Sequence, residues 1–214
     1  MAFEILLGLF ILASPPSDSE SEKACVQAIA LFHGIPEAQL WQKLRQDPEN
    51  IVCLKNVPGR YQQHPNFIRL VYDPDRGVIN PKTIREAMAA IVAAENQIIA
   101  ANIIRAPAKS SGDFIDGNGD LLDIKLPSSP RTPEALPVDP QHWFEEAMKK
   151  LERDPVNFKT GRATKIKVIF DVTWITEEDE QRLKRFLKEK IPADLYKFVY
   201  YVQLPEPIRR LRSK

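Results

Sequence analysis

The sequence predicts an α/β fold, in which helices alternate with short strands along the chain. Its 214 residues are 43% hydrophobic and 28% charged, which is the balance of an ordinary globular protein with a sizeable core. The apolar run from Ile166 to Val172 is typical of a strand covered on both faces. A helix with an acidic first turn and a basic last turn is predicted directly after it, from Thr176. This order indicates a sheet packed against helices.

Charge and composition exclude several classes of function. Thirty Lys and Arg against 29 Asp and Glu leave a net charge of +1, so any site for nucleic acid must be a local patch. Cys25 and Cys53 are too few for a disulfide-stapled fold and lack the spacing of a zinc site. The three histidines, in separate segments without metal-ligand spacing, are His33, His64 and His142.

The N-terminal run of residues 1–13, MAFEILLGLFILA, is apolar but short. A bilayer-spanning helix needs about 20 residues, and Glu4 stands where a signal peptide carries positive charge. We therefore predict no membrane span and an apolar arm packed on the protein. An export signal is the alternative, which leaves the location open between the cytoplasm and export.

The first 79 residues are predicted to form a small extension. From Glu20 to His33, Ala24, Ala28, Leu31 and Phe32 recur at helical spacing. The remaining predicted elements of this extension are a helix over 36–45 and strands over 51–57 and 66–71.

From residue 80 onward the pattern predicts the larger domain, over 80–214. Asn80 and Pro81 are the N-cap and first-turn residues of a long Ala/Ile-rich helix running to about Ala101. The elements predicted after it are a strand over 102–106, a hairpin over 112–127, a helix over 140–153, the strand over 166–172, the helix from 176 and a strand over 195–204.

The predicted hairpin determines where its charged side chains lie. Gly117, Asn118 and Gly119 make a three-residue loop with glycine in the left-handed position that such loops need. Asp116 then pairs with Asp120, and every pair further out follows from this count.

Counting outward from the loop places Asp113 opposite Asp123, about 5 Å apart at their Cβ atoms. Lys125 is two residues beyond Asp123 and therefore projects from the same face. Two carboxylates this close repel each other unless a cation lies between them, and Mg²⁺ accepts one or two carboxylates together with waters and phosphate oxygens. We predict carboxyl groups roughly 4–5 Å apart around one ion, with Asp116 and Asp120 directed elsewhere.

Asp113, a turn and Asp123-Ile124-Lys125 resemble the PD-(D/E)XK pattern of the restriction-endonuclease-like nucleases, with Gly112 in place of the usual proline. The resemblance extends over residues 91–203. It implies a core of helix, three strands, helix and strand, with a mixed sheet flanked by helices.

The resemblance also implies a function and a set of roles. In such nucleases the first helix often supplies a glutamate to the metal site, a role that falls to Glu95 here. Asp113 and Asp123 are the implied ligands of Mg²⁺, or alternatively Mn²⁺, and Lys125 and Glu95 are the implied catalytic residues. The sequence pattern GDFID…DIKLP resembles that of the C-terminal nuclease toxin domains of bacterial contact-dependent inhibition and polymorphic toxin systems. It thus implies a DNA or tRNA substrate and an immunity protein as partner.

Three alternatives remain open from the sequence. A catalytically inactive member of the family could serve as a binding or interaction module, and a surface hairpin with alternating charges would carry the same residues. Asp116, Asn118 and Asp120 alternate as in the opening of a calcium-binding EF-hand loop. Leu121 and Pro127, however, stand where that loop needs its glycine and its bidentate glutamate.

Overall fold

The computed structural model describes residues 18–129 and 137–207. The apolar run at residues 1–13 and the basic residues after 207 lie outside this described part, and so do the predictions made for them. No helix in the described part is long and apolar enough to cross a membrane.

Five helices lie between residues 18 and 79. They are α1 (Asp18–His33), α2 (Glu37–Arg45), α3 (Pro48–Lys55), α4 (Gly59–Gln62) and α5 (Phe67–Leu70). The two predicted helices are confirmed, whereas the strands predicted over 51–57 and 66–71 are wrong. Asp47 and Pro48 start a helix instead, because the Asp47 side chain accepts a hydrogen bond from the Glu49 N–H at 2.9 Å.

The buried face of α1 also differs from the predicted one. Val26, Ile29 and Ala30 are buried against the neighbouring helices α2 and α5, whereas Leu31 is 85% exposed and Phe32 is 52% exposed. Both sets of residues have helical spacing, so periodicity alone did not distinguish the face that packs.

Helix α6 (Pro81–Glu95) is the central helix of the fold. Its N-terminus has the predicted cap, with the Asn80 side chain accepting from the Thr83 N–H at 2.9 Å. The helix ends at Glu95 rather than near Ala101. Every residue of α6 from Thr83 to Ala93 is buried, including Arg85 and Glu86. One apolar core extends from the N-terminal helices through α6 to the sheet.

Five strands form one mixed sheet in the order β1-β2-β3-β4-β5. They are β1 (Ile104–Arg105), β2 (Phe114–Ile115), β3 (Leu121–Lys125), β4 (Lys167–Asp171) and β5 (Val199–Val202). β2 is antiparallel to both of its neighbours, β1 and β3, whereas β3, β4 and β5 run parallel. The predicted strand over 166–172 is confirmed as β4, buried between β3 and β5.

The remaining helices are α7 (Pro140–Leu151), α8 (Glu177–Lys190) and α9 (Ala193–Tyr196). α7 lies in the connection between the parallel strands β3 and β4, and it packs on β4 and α8. Thr176 caps α8 as predicted. The predicted strand over 195–204 begins instead as the short helix α9 and continues as β5. The fold is therefore α/β, with a mixed sheet flanked by helices.

Candidate functional site

The hairpin of β2 and β3 has the predicted register. Phe114 pairs with Leu122 and Ile115 pairs with Leu121, so the loop count from the sequence is confirmed. Gly119 has a φ of +87°, and a Cβ at Gly117 would lie 1.9 Å from the Ala101 carbonyl oxygen.

An open cleft of about 1260 Å³ lies between β3, α6, α7 and the turn after β4. Asp113, Asp123 and Lys125 all line it, as the sequence predicted, and neither Asp116 nor Asp120 does. Asp113 reaches the cleft from the residue before β2, where its Oδ2 accepts a hydrogen bond from the Ile124 N–H at 2.8 Å. The two predicted aspartates therefore approach the cleft from neighbouring strands.

Asp123 is buried in contact with two ammonium groups. Lys125 Nζ lies 2.9 Å from its Oδ2, and Lys150 Nζ lies 2.7 Å from its Oδ1. Lys125 is also buried, and its Nζ lies 3.5 Å from Glu146 Oε2 on α7. Helix α7 thus contributes a carboxylate and a second ammonium group to the hairpin site.

Asp113 carries a strongly perturbed carboxyl group. Burial, and after it the negative charges of Glu86 and Asp123, raise its pKa to about 7. Two other carboxylates are therefore close enough to Asp113 to oppose its ionisation, and a cation at this place would relieve that repulsion.

Glu95 lies outside the cleft, contrary to the prediction. Its side chain is 38% exposed and forms an ion pair with Arg60 at 2.7 Å, and it does not line the cleft. The glutamate of α6 that approaches Asp113 is Glu86, nine residues earlier. Glu86 is 2% exposed and lines a narrow polar pocket of about 140 Å³ that Asp113 also lines.

The remaining carboxylates of the hairpin have structural partners. Asp116 accepts hydrogen bonds from the Asn118 and Asp120 N–H groups at 2.9 and 3.1 Å, which closes the turn. Lys167 Nζ lies 2.8 Å from Asp116 and 3.0 Å from Asp120. These contacts explain the alternation of Asp116, Asn118 and Asp120 without a calcium ion.

Within the described part of the chain, the cleft carboxylates do not form a closed metal cage. In residues 18–129 and 137–207, no three His, Cys, Asp or Glu side chains are arranged to hold an ion by themselves. Asp123 Oδ2 and Glu86 Oε1 are buried beside ammonium groups, with Lys125 Nζ 2.9 Å from the first and Lys82 Nζ 3.4 Å from the second. Mg²⁺ completes its shell with waters and substrate phosphate oxygens, so Asp113 and Asp123 would suffice as protein ligands.

The cleft is more positive than the chain as a whole. Five cationic side chains line it against three carboxylates: Arg76, Lys82, Arg85, Lys125 and Lys150 against Asp113, Asp123 and Glu146. Three of these cations pair with carboxylates outside the lining: Arg76 with Asp73, Lys82 with Glu86 and Arg85 with Asp171. The positive excess therefore belongs to the lining itself, which is the surface that a polyanion would meet.

Sequence reasoning missed Arg85, Glu86, Glu146 and Lys150. Arg85 and Glu86 did leave a signal, because two charged residues interrupt an otherwise Ala-rich and apolar helix. Glu146 and Lys150 left none, since a Glu and a Lys four residues apart on a helix are ordinary surface residues.

Comparison with known proteins adds no family to this description, since no protein-family model, no curated protein and no solved structure matches the chain. The assignment of chemistry to the cleft therefore depends on its geometry.

Removing the charge of Asp113 should stabilise the protein above neutral pH. The folded pKa of about 7 lies above the usual 3.9 of Asp, so the folded state binds more protons between these values. The free energy of unfolding therefore falls as the pH rises through this window. In chelator at pH 8, Asp113→Asn should gain about 2–4 kcal/mol by urea unfolding. The gain should fall to roughly a third of this at pH 5 and vanish only below about pH 4, where the carboxyl group of the unfolded chain is protonated too.

Asp120→Asn provides a control of opposite sign. Burial alone would raise the pKa of Asp120, but hydrogen bonds from Lys167 and Asn157 hold it below the usual value. That carboxylate stabilises the fold at pH 8, so its replacement should lower the free energy of unfolding there. An equal gain for Asp113→Asn at both pH values would contradict the assignment of a repelled, buried charge.

Proposed function

We propose that this protein is a metal-dependent nuclease with a PD-(D/E)XK-type core, which hydrolyses phosphodiester bonds of DNA or tRNA. The observation that carries this proposal is the convergence of Asp113, Asp123 and Lys125 in one cationic cleft. Two buried carboxylates and an ammonium group are the donor set that such hydrolysis uses.

The order of elements supports the proposal. α6, β1, β2, β3, α7 and β4 follow one another as helix, three strands, helix and strand, which is the order that the resemblance implies. Asp113 immediately precedes the second strand of this set, and Asp123 lies on the third. The toxin role and the immunity partner rest on the resemblance alone.

Each residue of the cleft has a distinct role in this reaction. Asp113 and Asp123 would hold the cation, which when bound polarises the phosphate and lowers the pKa of a coordinated water. The Lys125 ammonium stabilises the negative charge that develops on the phosphate, and Asp123 fixes its position at 2.9 Å. Glu86 replaces Glu95 as the helix glutamate beside the metal ligands.

A second candidate is an inactive nuclease fold that serves as a binding module. The contacts of Lys125 and Lys150 with Asp123 favour it, because two ammonium groups already neutralise this carboxylate. Such a protein would keep the cationic cleft and bind nucleic acid without cleaving it.

Incubation of the purified protein with supercoiled plasmid and with total tRNA separates these functions. Cleavage would be followed by gel electrophoresis. We expect at least one substrate to be cleaved with Mg²⁺ or Mn²⁺ and neither to be cleaved with a chelator. Full cleavage in chelator would overturn the metal mechanism. Intact substrates under all conditions would overturn the nuclease proposal and leave the binding module.

A further inference from the structure

Two of the three tryptophans of the chain lie in the candidate cleft. Trp143 and Trp174 both line it, together with His142. The third, Trp41, lies on α2 outside the cleft, where its Nε1–H donates to Glu37 at 3.0 Å. The charged centre of the cleft is therefore flanked by aromatic rings that the hydrolysis itself does not use.

Trp174 is held by a buried ion pair. It follows β4 in a turn, and the guanidinium of Arg85 lies 5.5 Å from the centroid of its ring. Arg85 is itself fixed by Asp171, whose Oδ2 lies 2.9 Å from its Nη2. The indole is therefore a half-buried platform on a rigid support, at the edge of the sheet where Asp171 ends β4.

Trp143 is positioned by ring contacts on the opposite wall of the cleft, which α7 forms. It lies in the first turn of α7, with its ring packed edge-on against Phe170 at 6.2 Å between centroids. His142 packs edge-on against it at 5.1 Å. Because Trp143 is half-buried and lines the cleft, part of its surface remains available there.

The cleft has room for a nucleic-acid strand, and its lining suits one. Its volume of about 1260 Å³ exceeds the ~300–1000 Å³ that is usual for a small-molecule site. Five cationic side chains against three carboxylates favour a phosphate backbone, and the aromatic rings favour the flat faces of bases.

We propose that Trp143 and Trp174 form a base-stacking subsite, so that the substrate enters the cleft as a single strand rather than as a duplex. This inference rests on the proposed nuclease function and names its substrate class. Bases in a duplex are already stacked and paired, whereas a loop or a single strand offers its bases to aromatic side chains. A strand whose base lies on Trp174 has its phosphates beside the carboxylate and lysine centre of the same cleft.

Binding in chelator tests the subsite without any cleavage. We would measure fluorescence anisotropy with a labelled oligonucleotide of about 10 nucleotides, single-stranded and as the duplex of the same sequence. The wild-type protein should bind the single strand more tightly. Trp174→Leu should weaken single-strand binding roughly 5- to 150-fold, Trp174→Phe much less, and neither should change duplex binding.

A Trp41→Phe variant serves as the matched control and as a reporter. It leaves Trp143 and Trp174 as the two tryptophan emitters of the chain, so their fluorescence should be quenched when the single strand binds. This measurement needs no substitution in the cleft, so it tests the subsite even if the Trp174→Leu variant does not fold. The Trp41→Phe variant itself should bind both oligonucleotides like the wild type.

The outcomes separate this inference from the proposed function. Absence of quenching in the Trp41→Phe variant, tighter duplex binding, or equal loss of both ligands in Trp174→Leu would overturn the subsite. If one of these outcomes is found and the wild-type protein still cleaves nucleic acid with Mg²⁺, the nuclease proposal stands without the stacking subsite. Single-strand binding with quenching but without cleavage would support the subsite and overturn the nuclease.

Discussion

Replacing Lys125 by Met should lower the rate of metal-dependent cleavage by at least about 100-fold, because the charge that develops on the phosphate loses its closest ammonium group. The Lys125 stem and the Met side chain are similar in shape, so the packing of β3 is kept. Cleavage of the substrate identified with Mg²⁺ would be followed by initial rates on a gel, beside a thermal unfolding curve of each variant.

The fold should tolerate this substitution. Asp123 would still have the Lys150 ammonium at 2.7 Å, so its buried charge does not become unpaired. Lys149→Met is the matched control, since Lys149 also contacts Glu146 but is 63% exposed and does not line the cleft. It should cleave at the wild-type rate.

Asp123→Asn should lose cleavage to a similar extent, whereas Asp120→Asn on the same hairpin should retain it. Asp120 faces Lys167 and Asn157 outside the cleft. Wild-type rates for a folded Lys125→Met or Asp123→Asn protein would refute the roles assigned to these residues.

The hairpin could be predicted from the sequence because its signals are local. Gly117 and Gly119 permit a three-residue loop, and the alternation of a strand then determines which side chains share a face. That count places Asp113, Asp123 and Lys125 on one face of the hairpin without any tertiary contact.

The N-terminal strands could not be predicted correctly, because short apolar runs do not separate helices from strands by periodicity. The run over 51–57 lies mostly in α3, which begins at Pro48 under the Asp47 cap. Asp47-Pro48 is typical of a break between two elements, but an Asp N-cap followed by Pro is also a helix start. The Asp47-Pro48 pair is therefore a local signal, but an ambiguous one.

The choice between Glu86 and Glu95 needed tertiary information. α6 is buried on all sides from Thr83 to Ala93, so no polar face indicates which of its glutamates approaches the hairpin. That depends on where α6 crosses the sheet, and Glu95 lies at its far end beside Arg60. Lys150 and Glu146 likewise reach the cleft only because α7 packs on β4.

Arg85→Met should destabilise the protein by about 3–5 kcal/mol, because it leaves the charge of Asp171 buried and unpaired. Asp171 is 0% exposed, and Arg85 donates to its Oδ2 from Nη2 at 2.9 Å and from Nε at 3.3 Å. The pair joins α6 to the end of β4. Urea unfolding in chelator measures the loss, and the double variant Arg85→Met/Asp171→Asn should recover part of it.

Arg60→Met removes an arginine–carboxylate pair of similar length at the surface, and so it serves as the comparison for Arg85→Met. Arg60 and Glu95 lie 2.7 Å apart with side chains 34% and 38% exposed, so water replaces the lost partner and the cost should stay below about 1 kcal/mol. Both pairs join an arginine to a carboxylate and both involve α6. Equal losses for Arg85→Met and Arg60→Met would mean that burial does not determine the stabilisation by these pairs, and that Arg85 does not anchor the wall of the cleft.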